Sequence, residues 1–231
     1  YPTAAYNPTF TFSTVAAIGA RGDNLDNSFL GAIDEVSVYN RPLAAGEVQA
    51  IYTAGSTGKC IPTSPPFSDG LVAYYPLNGN ANDASGNGKH GTALNGVSYV
   101  TDVRGTVAYF NGSSQYISLP NSISNYMDLS VTFWLKTSDS NPNAFPSGLF
   151  LVSRDIAGYA ADWNICLGQG RKIQFLTDAN ALVPVNDTES NQWVHVACVA
   201  DAAGHLKTIF LNGQPAASAS WSPSAFANNN V

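Results

Sequence analysis

The chain has 231 residues, of which 45% are hydrophobic and 11% aromatic, enough for one large β-sandwich or two small domains. Only 11% of the residues are charged, against the ~25% usual for soluble domains, and this is typical of secreted β proteins. The net charge of −6 without a basic cluster excludes the electrostatic basis for binding nucleic acid or an anionic membrane. No apolar segment approaches the ~20 residues of a membrane span. We therefore expect a secreted or cell-surface protein.

Alternating apolar and polar residues predict a series of short strands along the chain. In chain order the segments are TFSTVAAIGA, AIDEVSVYN, LVAYYPL, TVAYFNG, QYISLP, LSVTFWLKT, GLFLVSRD, DWNICLGQ, KIQFLTD, WVHVACVAD and LKTIFLNG. One short helix is predicted from about Leu43 to Tyr52, with Gly55 at its end. The pattern predicts an all-β fold, an antiparallel two-sheet jelly-roll sandwich with one short helix.

A composition shift divides the chain into an arm and a body. Residues 54–69 are rich in Gly, Ser, Thr and Pro, as a linker would be. The arm, residues 1–53, has too few strands for independent stability, and the body, residues 70–231, lacks closing strands for its exposed sheet edges. We predict that the arm completes a jelly roll with the body, either in its own chain or in a neighbouring copy. The alternative is that the chain is a window cut from a tandem array of domains.

The three cysteines are too far apart in the sequence for a zinc or redox motif. Cys166 and Cys198 both lie in predicted strands, and a disulfide between them would leave Cys60 unpaired or bonded outside the chain. Buried thiols without a disulfide are an equally good interpretation, because cysteine is a common core residue.

Two polar segments are candidate binding sites. The segment NGNANDASGNGKHG places Asn78, Asp83 and Asn87 among glycines, which gives the hard oxygen ligands that calcium prefers; the alternative is an Asx-rich turn that caps its own backbone. The segment around Trp163 is a candidate ligand site, because an exposed indole can stack on a sugar ring. Its polar partners would be Tyr159, Asp162 and Arg154. The alternative is a tryptophan that lies over its own loop.

The order of the motifs resembles that of laminin G-like, concanavalin A-like jelly rolls. The body segments GLVAYYPLNGNANDASGNGKHGTALNGVSY, AYFNGSSQYISLP, LSVTFWLKT, QWVHVACVAD and KTIFLNGQPAA are similar to successive strands of that family. The arm segment AAIGARGDNLDNSFLGAIDEVSVYNRPLAAGEVQAIYTAG is similar to its last strands and closing helix, so the usual order is broken.

The resemblance also implies roles for single residues. In this family a calcium ion often joins the early loop to the acidic residue of the closing strand, which here is Asp34. The implied calcium ligands are therefore Asp34 and Asp83, with loop carbonyls and Asn87 or His90. The resemblance further implies that Trp134 and Trp193 pack in the core.

Catalysis is not expected from this sequence. A glycosidase needs paired carboxylates beside its substrate, and Glu35 has only the adjacent Asp34 as a partner. Adjacent residues of a regular strand face opposite sides of the sheet, so we expect no catalytic pair. The resemblance implies a non-catalytic extracellular module for adhesion or carbohydrate recognition, with a glycan or matrix component as partner. The alternative is a structural repeat or fibre subunit in which copies of the chain assemble by strand complementation.

Overall fold

The computed structural model describes residues 16–21, 27–55, 68–123, 128–140, 148–154, 163–177, 181–184, 186 and 188–221. These residues form fifteen strands, one α-helix and two short 3-10 helices. The strands are β1 Ala16–Ile18, β2 Leu30–Tyr39, β3 Leu71–Tyr75, β4 Thr92–Leu94, β5 Ser98–Asp102, β6 Gly105–Asn111, β7 Tyr116–Leu119, β8 Leu129–Lys136, β9 Leu149–Arg154, β10 Trp163–Leu167, β11 Ile173–Leu176, β12 Ala181–Leu182, β13 Val194–Asp201, β14 Leu206–Leu211 and β15 Gln214–Ser220. The helix α1 is Ala45–Ala54, and the 3-10 helices are Asn121–Ile123 and Gln169–Arg171.

The strands form two antiparallel sheets. The first sheet has the order β12-β11-β10-β9-β1-β7-β4, and the second has the order β15-β14-β13-β8-β2-β6-β5, with β3 also paired to β2. The predicted all-β class, an antiparallel two-sheet jelly roll with one short helix, is confirmed.

The arm supplies an internal strand to each sheet. Strand β1 pairs with β7 and β9 of the first sheet, and β2 pairs with β3, β6 and β8 of the second. These pairings cover strand edges of the body that would otherwise be exposed. The arm and the body of this chain thus form one sandwich. The exact limits of arm and linker, and exchange of the arm between copies, stay predictions, since residues 1–15 and 56–67 lie outside the described residues.

The main core lies between the sheets, and strict alternation decides which side chains enter it. On β8 the residues Val131, Phe133 and Leu135 belong to this core, and on β13 so do Val194 and Val196. The residues between them therefore lie on the outer face of the second sheet, the face directed away from the first sheet.

The helix α1 packs on this outer face. A second apolar cluster joins helix and sheet, formed by Tyr39, Leu43, Val48, Ile51, Ala197, Val199 and Phe210. Glu47 accepts a hydrogen bond from the Ala44 amide at 2.9 Å, which satisfies one donor of the first turn, and its carboxylate pairs with Arg41 at 2.6 Å. Gly55, with φ of 58°, ends the helix as predicted. No helix in the described ranges is long and apolar enough to span a membrane.

Cys166 and Cys198 are both buried, and no disulfide joins them. Cys198 lies in the core between the sheets, whereas Cys166 packs with Phe150 and Leu176 in a separate cluster. Burial raises the pKa of the Cys198 thiol well above its ordinary value, so this thiol stays protonated at neutral pH. The predicted disulfide is not formed, and the alternative of buried thiols describes this pair. Cys60 lies outside the described residues.

Candidate functional site

A bulge in β2 places two carboxylates on the same face of the second sheet. Ile33 and Val36 both point into the core, so the two residues between them lie on the outer face. Glu35 has a φ of 52°, and the register with β8 shifts between Asp34 and Ser37. The expectation that Asp34 and Glu35 face opposite sides is therefore wrong, because the bulge inserts one extra residue into the alternation.

Both carboxylates bind Arg104, which lies in the turn between β5 and β6. Its Nε is 3.1 Å from Asp34 Oδ2, and its Nη2 is 3.3 Å from Glu35 Oε2. The side chains are nearly buried, at 6% exposure for Arg104, 3% for Asp34 and 10% for Glu35. Burial and the adjacent Glu35 charge raise the pKa of Asp34 to about 7, against the opposing effect of Arg104. The arrangement fastens the β5–β6 hairpin to the sheet and leaves no room for a substrate between the carboxylates.

An aromatic cluster adjoins this ion pair. The Arg104 guanidinium lies 3.9 Å from the ring centroid of Trp134. Trp134 also stacks on Tyr52 of α1 at 5.7 Å and meets His195 edge-on at 5.2 Å. Trp134 is buried as the resemblance implied, but beneath α1 and the hairpin instead of between the sheets. The alternation in LSVTFWLK predicts this outer-face position, because Trp134 lies one residue after the core residue Phe133.

Trp193, immediately before β13, is half-buried and held by polar contacts. Its Nε1 donates a hydrogen bond of 2.7 Å to Asp102 Oδ1, and Lys136 Nζ lies 2.9 Å from Asp102 Oδ2. The cations of Arg104 and Lys136 lie 5.6 and 6.0 Å from the centroid of the Trp193 ring. Burial would raise the pKa of Asp102, but the hydrogen bonds from Trp193 and Lys136 outweigh it and lower the pKa below its ordinary value. The indole therefore has a defined orientation.

Trp193 borders a polar cleft with a volume of ≈ 890 Å³. The cleft is lined by Lys172, Asn186, Thr188, Glu189, Gln192, Trp193, Val194, Leu211 and Asn212. Ligand sites commonly have volumes of roughly 300–1,000 Å³. Sequence reasoning missed this cleft because the resemblance implied a core role for Trp193. The available signal is that Trp193 precedes the core residue Val194, so alternation places the indole on the same face as His195.

Three polar side chains of the cleft are unengaged in the described part of the chain. Asn186, Glu189 and Gln192 are exposed, and within the described part of the chain their side chains make no hydrogen bond or ion pair. Asn212 differs, because its Oδ1 accepts a hydrogen bond of 2.9 Å from the His195 amide. Its Nδ2 donors have no acceptor among the described residues. The cleft thus combines an oriented indole with polar groups that are available to a ligand.

The structure buries the two described members of the ligand site predicted around Trp163. The Trp163 indole is 0% exposed and belongs to the core between the sheets. Arg154, opposite it in the β9–β10 register, is also buried. A buried indole has no face for a sugar, so this placement gives the predicted ligand role of Trp163 no support. Tyr159 and Asp162 lie outside the described residues.

Asp83, in the Asn-rich loop of residues 78–91, serves as an acceptor for its own loop. Its Oδ1 accepts from the amides of Tyr74 at 2.9 Å and Ser85 at 2.8 Å, and its Oδ2 accepts from Ser85 Oγ and the Lys89 amide, both at 2.9 Å. Burial would raise the pKa of Asp83, but these hydrogen bonds lower it below the ordinary value. A carboxylate has about four lone-pair positions, and here protein donors occupy them.

The other implied calcium ligands do not surround Asp83 as the ligands of a metal ion would. Asn87 Nδ2 donates to the carbonyls of residues 71 and 72, at 2.9 and 3.1 Å, and Asn78 is exposed. Asp34 binds the cationic Arg104. No group of three or more His, Cys, Asp or Glu side chains suited to a metal occurs among the described residues. These residues do not fit a calcium site, and Asp83 and Asn87 instead bind backbone groups, as in the Asx-rich turn that was the alternative.

The part of the chain that forms the cleft matches a protein-family model. The Laminin G 3 model, described as the concanavalin A-like lectin/glucanases superfamily, matches residues 111–231, which include every residue that lines the cleft. Among solved structures the chain is similar to the binding domain of Paraclostridial Mosquitocidal Protein 1, with 20% sequence identity and a TM-score of 0.46. The alignment covers 60% of this chain and only 37% of that one. No curated protein matches the chain.

Proposed function

Because the chain belongs to the concanavalin A-like lectin/glucanases superfamily, we propose that it is a non-catalytic carbohydrate-binding module whose glycan site is the Trp193 cleft. One observation carries the proposal: an oriented, half-buried indole borders a cleft in which the exposed side chains of Asn186, Glu189 and Gln192 make no hydrogen bond or ion pair with the described residues. An indole can stack on the apolar face of a pyranose, and carboxamides and carboxylates can bind its hydroxyl groups. The cleft therefore has the chemistry that sugar recognition requires.

The carboxylates support binding without hydrolysis. Glycoside hydrolysis by the usual mechanisms needs two carboxyl groups that flank the scissile bond. Asp34 and Glu35 share a face but are buried against Arg104. Among the described residues that line the cleft, Glu189 is the one carboxylate. A single described acid beside the indole is compatible with recognition, and it supports a binding function over hydrolysis.

The proposed biological setting is extracellular adhesion or recognition. The low charge content of 11% and the net charge of −6 support a secreted or cell-surface location, where glycans and matrix components are available. The contacts of Asp83 and Asp34 support glycan binding that does not depend on calcium. Detection of the native protein in cell fractions tests the location, and an intracellular pool alone would contradict it.

A glycan array with the whole chain, followed by calorimetry on the best ligand, tests the function. We expect Trp193→Ala to weaken binding tenfold or more, because loss of a stacked ring removes at least about 1.4 kcal/mol of apolar contact. Trp193→Phe should bind with intermediate affinity. Tyr109→Ala is the matched control, since this aromatic side chain is 36% exposed and does not line the cleft. Circular dichroism verifies that each variant is folded.

Two outcomes contradict the proposal. The first is that no glycan on the array binds the wild-type chain. The second is that folded Trp193→Ala keeps wild-type affinity. Asn186→Ala and Gln192→Ala provide a second test if Trp193→Ala fails to fold, because both side chains are exposed and make no hydrogen bond or ion pair with the described residues.

A further inference from the structure

We propose that the Trp193 cleft selects neutral glycans and discriminates against sulfated or uronic acid-containing ones. This inference rests on the proposed glycan-binding function and names the substrate class of that same site. Three features of the cleft support it: the charges of the lining, the contacts of the nearby arginine residues and the hydrogen-bonding groups that remain available.

The lining of the cleft has no surplus of positive charge. Among the described residues that line the cleft, Lys172 is the one cation and Glu189 is the one anion. A sulfate or carboxylate of a ligand would be attracted by the first and repelled by the second. Over the chain as a whole, ten Lys and Arg face sixteen Asp and Glu, so the long-range field also repels an anionic polysaccharide.

No arginine lines the cleft. Proteins recognise carboxylates and sulfates best with the two parallel N–H groups of an arginine. Arg104, beside Trp193, is already bound to Asp34 and Glu35 at 3.1 and 3.3 Å. Arg171 donates its Nε to the carbonyl of Thr188 at 3.0 Å. The guanidinium of Arg104 is thus committed to two carboxylates, and that of Arg171 is held to the backbone through its Nε.

The charges that support Trp193 do not favour an anion either. Arg104 and Lys136 lie near the indole, and three carboxylates, those of Asp34, Glu35 and Asp102, face these two cations. Each cation is therefore neutralised by a partner within 3.3 Å. A ligand stacked on Trp193 meets an aromatic surface without excess positive charge.

The groups that remain available are those that bind hydroxyls. Within the described ranges, Asn186 and Gln192 each offer an unengaged amide donor and acceptor, and Asn212 offers Nδ2 donors because its Oδ1 accepts from the His195 amide. Glu189 adds acceptor oxygens. A neutral pyranose presents hydroxyls that both donate and accept, together with an apolar C–H face for the indole. This set of groups matches a neutral sugar.

The test compares neutral oligosaccharides with chemically sulfated forms of the same oligosaccharides, by calorimetry on the whole chain. We expect the neutral ligand to bind at least tenfold more tightly than its sulfated form. We also expect its affinity to change less than twofold between 50 and 500 mM NaCl, because an uncharged ligand is not screened by salt.

A charge variant gives a second, independent readout. Glu189→Lys should raise the affinity for the sulfated oligosaccharide at least tenfold at 50 mM NaCl. Asp69→Lys is the matched control, since it makes the same change of charge at an exposed side chain outside the cleft. It should leave the preference for the neutral oligosaccharide unchanged.

The outcomes distinguish this inference from the function on which it rests. Tighter binding of sulfated glycans, with affinity that falls as salt rises, overturns the neutral preference but leaves glycan binding intact. Absence of binding to both forms overturns the proposed function and the inference with it. Tight, salt-insensitive binding of the neutral form supports both.

Discussion

The Asn-rich loop and the Trp193 cleft have similar residue types but use them differently. In the loop, Asp83 accepts four hydrogen bonds and Asn87 donates two to backbone carbonyls. In the cleft, the exposed Asn186 and Gln192 make none within the described ranges. Polar residues therefore indicate a binding site only when the fold leaves their atoms available, and residue type alone does not reveal that availability.

The Arg104 network lies between these two cases. Its charges are buried and paired like those of the loop, but Arg104 and Lys136 also flank the indole of the cleft. Variants in the three regions should therefore differ in whether they change fold stability, glycan binding or both. Changes in the loop should affect stability alone, changes in the exposed lining should affect binding alone, and changes in the network should affect both.

The largest effect is expected from Arg104→Ala. Removing one partner of a buried ion pair leaves two carboxylates uncompensated, which should lower the free energy of unfolding by about 3–5 kcal/mol. Glycan affinity should fall as well, since Trp193 loses a neighbour. Urea denaturation and calorimetry measure the two effects. Arg104→Lys keeps the charge without the planar stack and should be intermediate; a loss below about 1 kcal/mol in Arg104→Ala would show that the network is not structural.

Asp83→Ala should destabilise the fold without affecting binding. The change leaves three backbone amides without their acceptor, at an expected cost of about 2–3 kcal/mol in the free energy of unfolding. Glycan affinity measured below the unfolding transition should match the wild type. Asp83→Asn keeps one acceptor oxygen and should lose less. If folded Asp83→Ala also lost glycan affinity, the loop would contribute to binding and the distinction between loop and cleft would be wrong.

The stability of the network should depend on pH through Asp34. Because burial raises its pKa from 3.8 to about 7, the folded state holds a proton between these values that the unfolded state has released. The contribution of Asp34 to stability should therefore fall as pH rises from about 4 to 7. Asp34→Asn should reduce this slope in urea denaturation. An unchanged slope would show that Asp34 is ionised in the folded protein throughout the range.

Asn186→Ala and Gln192→Ala should show the reverse of the loop variant. Each exposed side chain can be removed with a change in unfolding free energy within about 0.5 kcal/mol. Each should weaken glycan binding several-fold, because one hydrogen bond to a hydroxyl contributes roughly 0.5–1.5 kcal/mol. Calorimetry and thermal denaturation on the same samples provide the comparison. Unaltered affinity in both variants would place the glycan elsewhere.

The smallest effect is expected from calcium. A site that binds only the folded state would stabilise it by about 2.7 kcal/mol at a hundredfold excess of the ion over its Kd. Since protein donors occupy Asp83 and Arg104 neutralises Asp34, we expect no shift in Tm between millimolar calcium and EDTA. A clear stabilisation by calcium would restore the ligand set implied by the family resemblance.

Local sequence patterns were sufficient to predict the fold class, and the alternation also carries information about the core. Alternation in β8 and β13 assigns Phe133 and Val196 to the interior, and the same alternation assigns Trp134 and His195 to the outer face. This information is local, because successive side chains of a strand point to opposite faces. The helix end at Gly55 was also readable from neighbouring residues alone.

Only the tertiary structure decided which polar atoms are occupied. The bulge at Glu35 breaks the alternation and turns two carboxylates toward Arg104, which is 70 positions from Asp34 in the sequence. Trp193 is oriented by Asp102, 91 positions away. Pairing between distant strands also gives two tryptophans different surroundings: Trp163 is buried in the core, whereas Trp193 borders the cleft. Periodicity reports which face a side chain occupies, but its availability depends on partners that are distant in the sequence and are brought close by sheet pairing.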